Sequence, residues 1–161
     1  MADRIVVNTG PLIALGRAGV LELLDRLPFE FVAPMQVREE LQQGDVAGHL
    51  PAALRCATVH FVDLPAGLSR LATANLGAGE AAVIQLALDK SIPVVCIDER
   101  KGRRAALSVG LRVTGTLGLL GRLKTVGAIT SARPLVERLR GGRDWFSEGL
   151  LDRFLRELGE A

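Results

Sequence analysis

Short apolar runs separated by helical stretches set the rhythm of this chain. Ile5–Val7, Phe29–Ala33, Val59–Val62, Val94–Ile97 and Leu111–Thr114 read as strands, since each is a brief run with apolar residues, bounded by polar or turn-forming ones. The stretches between them carry helical signals. "TGPLIALGRAG" predicts a turn and short helix with Pro11 at its first position, and Met35–Gln43 follows Pro34 as a second helix. Leu21–Leu27, a Gly/Pro-punctuated region near residues 45–55, a segment around residues 67–74, Gly79–Lys90 and Arg100–Val109 complete the set. Gly79–Lys90 is apolar nearly all round and is therefore expected to be buried. After "GTLGLLGRL" the pattern is helical almost to the end. Strands alternating with helices imply a three-layer α/β/α sandwich with a central, mainly parallel sheet of four to five strands. With no internal repeat or low-complexity linker, one domain over residues 1–161 is expected, with a C-terminal helical extension from about 130.

In such sheets the working site lies beyond the carboxyl ends of the strands, which points to Asn8 and Asp98. Asp98 follows four apolar residues and should emerge at that edge; it also suits the N-cap of the next helix. Glu80, in the first turn of "GEAAVIQLALDK", shares a helical face with Val83, Ile84 and Ala87. An inward-facing acid needs a proton, a cation or a donor to compensate it, although a first-turn Glu is also a common capping device. In "REEL", ordinary surface helix by itself, about 100° per residue places Glu40 about 60° from the inward-facing Val37 and Glu39 about 160° away. Glu40 should face the sheet edge and Glu39 the solvent. Asn8, before Thr-Gly-Pro, suits a turn and is also a neutral oxygen donor.

Composition narrows the chemistry these residues can do. The 161 residues include two cysteines, Cys56 and Cys96, and two histidines, His49 and His60, which argues against both a disulfide framework and a His/Cys zinc centre. Oxygen donors remain, and a cluster of carboxylates without His or Cys suits Mg²⁺ or Mn²⁺. The net charge is only +2, yet residues 100–143 carry eleven Lys or Arg against Glu137 alone. That block is either a solvated helical surface or a polyanion-binding one, with Arg100, Lys101, Arg103 and Arg104 as candidate phosphate contacts. Few aromatic residues accompany it (4% of the chain, no Tyr), so contacts to phosphates are expected more than base stacking. No apolar run is long enough for a membrane helix, and "MADRIVV" lacks the form of a signal peptide, so the cytoplasm is the expected compartment. Acids at the strand ends followed by a cationic block form the expected pairing for a metal-dependent nuclease.

Four phrases then resemble the PIN-domain family, the ribonuclease fold of VapC-type toxins: "VVNTGPLIAL" (6–15), "APMQVREELQQG" (33–44), "LGAGEAAVIQLALDKSIPVVCIDERKGRRAA" (76–106) and "GLRVTGTLGLL" (110–120). The resemblance implies a Mg²⁺- or Mn²⁺-dependent endoribonuclease, the toxin of a pair with a small antitoxin protein. Within it the first-strand Asp falls on Asn8, the helix Glu six residues after a Pro on Glu40, and the two later acids on Glu80 and Asp98. A further Asp would fall near Lys101 and is missing; Thr114 or Thr116 would supply a hydroxyl near that edge, with Thr9 as another auxiliary group. Asn8, Glu40, Glu80 and Asp98 form the implied catalytic set, and the three acids among them the metal ligands. Loss of the first-strand carboxylate also leaves open a PIN-fold binding or regulatory protein without chemistry. A dinucleotide-binding reading of "GAGEAA" (77–82) fits less well, because that fingerprint must follow a strand. Near the end, Phe146, Leu150, Phe154 and Leu158 recur at every fourth residue and either pack on the domain or form a surface for an antitoxin or a homodimer, the expected state.

Overall fold

The computed structural model describes residues 3–44, 58–64, 76–140 and 146–161. The helical stretches expected near 45–55 and 67–74 lie wholly outside them. Five strands, β1 (Asp3–Val7), β2 (Phe29–Pro34), β3 (Val59–Val62), β4 (Val94–Cys96) and β5 (Arg112–Thr114), form one sheet in the order β3-β2-β1-β4-β5. Every pairing is parallel, with Val6 opposite Val32 on one side and Val95 on the other. The central strands are apolar at successive positions, because helices cover both faces of the sheet.

Seven α-helices are described: α1 (Thr9–Ala18), α2 (Met35–Gln43), α3 (Ala78–Asp89), α4 (Arg100–Ser108), α5 (Thr116–Thr125), α6 (Arg133–Leu139) and α7 (Glu148–Glu157). The helical stretch expected at Leu21–Leu27 winds as a 3₁₀ helix over Leu21–Arg26; its six residues fill the short span between Gly19, in the left-handed region at φ 77°, and β2. α3 lies across β2, β1 and β4 and buries residues around its whole circumference, which is why its sequence shows no polar stripe. α1 packs against α5, α6 and the 3₁₀ helix. Right-handed crossovers put α1 and α3 on opposite faces of the sheet.

The C-terminal helical stretch divides into α5, α6 and α7. On α7 the buried residues are Leu151 and Leu155, which pack with Val136 of α6, while Phe146 and Phe154 lean on that cluster. The expected stripe of Phe146, Leu150, Phe154 and Leu158 therefore flanks the buried face and does not form it. Helix axes pack along the residues that reach a neighbour, and α6 meets α7 one position further round.

Candidate metal and nucleic-acid site

From β1 the chain moves in one direction across the sheet through β2 to β3, and returns on the other side to β4. The crevice outside the carboxyl ends of β1 and β4 is therefore the topological switch point. A cleft of about 250 Å³ opens there, lined by Asn8, Thr9, Glu40, Glu80, Asp98 and Glu99 together with the start of α1. No Lys or Arg lines it among the described residues. Residues from four separate segments thus meet as expected, and Glu99 joins them.

Asn8 follows β1 and donates its backbone N–H to the Cys96 carbonyl at 3.0 Å, tying β1 to β4 at the rim. It sits at the N-cap of α1, yet its side chain caps nothing, and its buried Oδ1 has no hydrogen-bond partner. A buried acceptor without a donor is costly and calls for an explanation. Glu40 is partly buried while Glu39 is exposed, as their positions on α2 predict. Its Oε2 accepts from the Thr9 hydroxyl at 2.7 Å. Glu40 also lies against the first turn of α3, where a β-carbon on Gly79 would come within 2.5 and 2.6 Å of its two carboxylate oxygens. The glycine of "GAGE" therefore makes room for an acid. A dinucleotide phosphate at that turn would meet carboxylates.

Glu80 is the third residue of α3, after Gly77 at the N-cap. Burial pushes its pKa up to about 7, and a hydrogen bond from its carboxyl to Glu99 and the negative charges of Glu99 and Glu40 push the same way. Without a cation, this environment favours the protonated form of Glu80. Asp98 serves a helix, but not the one that follows it: Oδ1 accepts from the Thr116 N–H at 2.8 Å and Oδ2 from the Thr116 hydroxyl at 2.6 Å, at the start of α5. The helix dipole favours that carboxylate in its charged form. Gly115 permits the approach, since a β-carbon there would stand 2.7 Å from Asp98 Oδ1. Thr116 is thus committed to Asp98, whereas Thr114 faces the neighbouring groove.

Among the described residues no group of three His, Cys, Asp or Glu side chains is gathered closely enough to hold a metal ion. Two of the acids have found a local donor instead, Glu40 the Thr9 hydroxyl and Asp98 the first turn of α5, while burial raises the pKa of Glu80 to about 7. The donor set still fits a hard divalent cation, being all oxygen, anionic and completed by the unpartnered Asn8 Oδ1.

Asp98 and Glu99 also border a second depression of about 1170 Å³ between α4, β5 and α7. Arg100, Arg103, Arg104 and Arg153 line it. Arg103 is a brace, donating from Nη1 to the Ile97 carbonyl at 2.7 Å and the Thr114 carbonyl at 3.3 Å. Lys101 is exposed but does not line the groove. Sequence reasoning missed Glu99 and Arg153 as site residues. The adjacency of Glu99 to Asp98 in "IDER" was a usable signal; for Arg153, placed on a surface helix distant in the chain, none existed.

Comparison with curated proteins finds no match. The model of a family described as PIN domain matches residues 4–160. That match takes in the sheet, the cleft at its switch point and the C-terminal helices alike, and this chain belongs to the PIN-domain family.

Proposed function

We propose that this protein is a Mg²⁺- or Mn²⁺-dependent endoribonuclease, acting as the toxin of a toxin–antitoxin pair. The observation that carries the reading is the cleft at the switch point, where Glu40, Glu80, Asp98 and Glu99 surround the unpartnered Asn8 Oδ1 with no basic side chain among the described lining. Mutual repulsion in such a site is relieved by a divalent ion, and Glu80, whose pKa burial raises to about 7, would ionise to receive it. Glu40, Glu80 and Asp98 would hold the ion, with Asn8 Oδ1 as a neutral donor to it or to its water. When bound, the ion supplies charge neutralisation of a phosphodiester and a water of lowered pKa. Thr9 holds the Glu40 carboxylate and Thr116 that of Asp98, so both acids are oriented before any ion arrives. Arg100 and Arg104 stand beside the cleft to take the flanking phosphates.

Glu80→Gln keeps the shape of the side chain and should abolish metal-dependent cleavage of RNA; wild-type cleavage by that variant removes the site assignment. A second reading, a PIN-fold binding or regulatory protein without chemistry, is favoured by Asn8 standing where the family's first acid is expected. Titration calorimetry with Mn²⁺ separates the two, since an absence of binding at millimolar metal favours the inert scaffold. The small antitoxin partner and homodimerisation belong to the first reading. A monomeric mass by light scattering at high concentration removes the dimer.

A further inference from the structure

We propose that α7 supplies the far wall of a single-stranded RNA track, with Arg153 as a substrate-binding residue facing α4 across the arginine groove. The inference rests on the nuclease reading for the identity of the polyanion, while its geometry stands separately. Arg100, Arg104 and Arg153 are exposed, line one depression and make no hydrogen bond or ion pair among the described residues. Of the other arginines on or beside α7, Arg156 is exposed but does not line the groove, and Arg140 is committed. Arg140, at the end of α6, pairs with Glu137, Glu148 and Asp152, its Nη2 standing 2.6 Å from Asp152 Oδ1. Glu148 and Asp152 are thereby held on the α6 side, while Arg153 lines the groove that α4 borders. Among the described residues the groove contains no acid beyond Asp98 and Glu99 at the end it shares with the cleft. Phosphates leaving the cleft would meet guanidinium groups at once.

The apolar part of the lining selects the form of the nucleic acid. Leu107, Val113, Leu117 and Leu150 border the groove, and Leu107 is 59% exposed. A duplex turns its phosphates outward and hides its base faces, so it would gain nothing from these side chains. Unpaired bases would rest apolar surface on them, by hydrophobic contact and not by aromatic stacking, while the guanidiniums hold the backbone. The volume also exceeds what a small ligand needs, as a chain-like ligand requires.

α7 is held in place at both ends independently of Arg153. Near its start Arg140 grips Glu148 and Asp152. Beyond its end Glu160 accepts from Lys124 Nζ at 2.8 Å and from the Ala132 N–H at 3.0 Å. Substitution of Arg153 therefore does not threaten the fold.

The test measures anisotropy of a fluorescent oligouridylate in EDTA, together with cleavage kinetics in Mn²⁺. Arg153→Gln should weaken binding severalfold, lower the slope of log affinity against log salt by about 0.7, and raise KM with kcat unchanged. Arg112→Gln, the same charge change at the amino end of the sheet, should alter none of these. Wild-type protein should bind the single strand more tightly than a duplex of the same length. Affinity and salt slope unchanged in Arg153→Gln would overturn the proposal, as would equal binding of the duplex or binding of polyglutamate in preference to RNA. If the protein binds RNA through Arg153 but never cleaves it, the nuclease reading falls and the track stands. Cleavage that is indifferent to Arg153 gives the converse.

Discussion

Gly79 stands where a helix would ordinarily prefer alanine by about 1 kcal/mol. Gly79→Ala would gain that propensity, but the new methyl must displace the Glu40 carboxylate from contact with it. Because that carboxylate is the far end of a flexible side chain, the displacement is cheap and net stability should change by less than about 1 kcal/mol. The function should suffer instead: the Thr9–Glu40 bond is lost and Mn²⁺ affinity falls. Calorimetry beside thermal melts checks this, and unchanged affinity would show that Glu40 is not a ligand. Glu80 gives a pH signature. Its folded pKa, about 7, lies above the unfolded value of about 4.3, so its protonation stabilises the metal-free fold fully below the unfolded value. That contribution disappears as pH rises through 7. Melts of metal-free Glu80→Gln should therefore match wild type near pH 4 and exceed it near pH 8, with Mn²⁺ narrowing the gap. Equal melting at both pH values would contradict the raised pKa of Glu80. The positions of these acids were legible from helical counting, as the exposed Glu39 and partly buried Glu40 illustrate. Their pairings were not: Thr9 and Thr116 were expected near this edge, but which acid each would bind, and the approach of Glu99, depend on the fold.

At the scale of elements, α3 was the most readable, since apolar residues on every side announce a helix enclosed by sheet and neighbours. α7 was the least. Its spacing of Phe146, Leu150, Phe154 and Leu158 is real, but the packing against α6 chose Leu151 and Leu155. What anchors this corner is Glu160, which acts as a cap for α6 from the far end of the chain, bonding the N–H groups of Ala132 and Arg133. The bond from Lys124, followed by that from Ser131, holds its carboxyl at a pKa of about 2. A depressed acid contributes stability above its unfolded pKa of about 4.3 and loses it as pH falls toward 2. Glu160→Ala should cost about 1 kcal/mol at neutral pH, the usual worth of a lost cap. The difference from wild type should fade below pH 4 in denaturant titrations, and a constant difference would assign the loss to packing.

For the whole molecule, the all-parallel order β3-β2-β1-β4-β5 makes β1 the hub, paired on both sides and roofed by α3. Opening either element exposes most of the core, so amides of β1, β4 and α3 should exchange at the global unfolding rate. Those of α7, held by a three-residue cluster and surface ion pairs, should exchange faster by native-state hydrogen exchange. Protection of α7 equal to that of α3 would mean that the two form a single cooperative unit. Charge is segregated on the same scale, acids in the cleft and free arginines in the adjoining groove, as the uneven distribution along the chain foreshadows.

By itself the sequence determined what is local: strand and helix periods, which glutamate of "REEL" turns inward, and the alternation that demands a parallel sheet. Tertiary structure alone decided the pairings of distant residues. Asp98 caps the helix at Thr116 and not the one it precedes, Glu99 comes to lie beside Glu80, and Arg153 lines the groove that α4 borders. Periodicity reports only whether a side chain faces in or out, whereas a partner's identity depends on how separate elements cross.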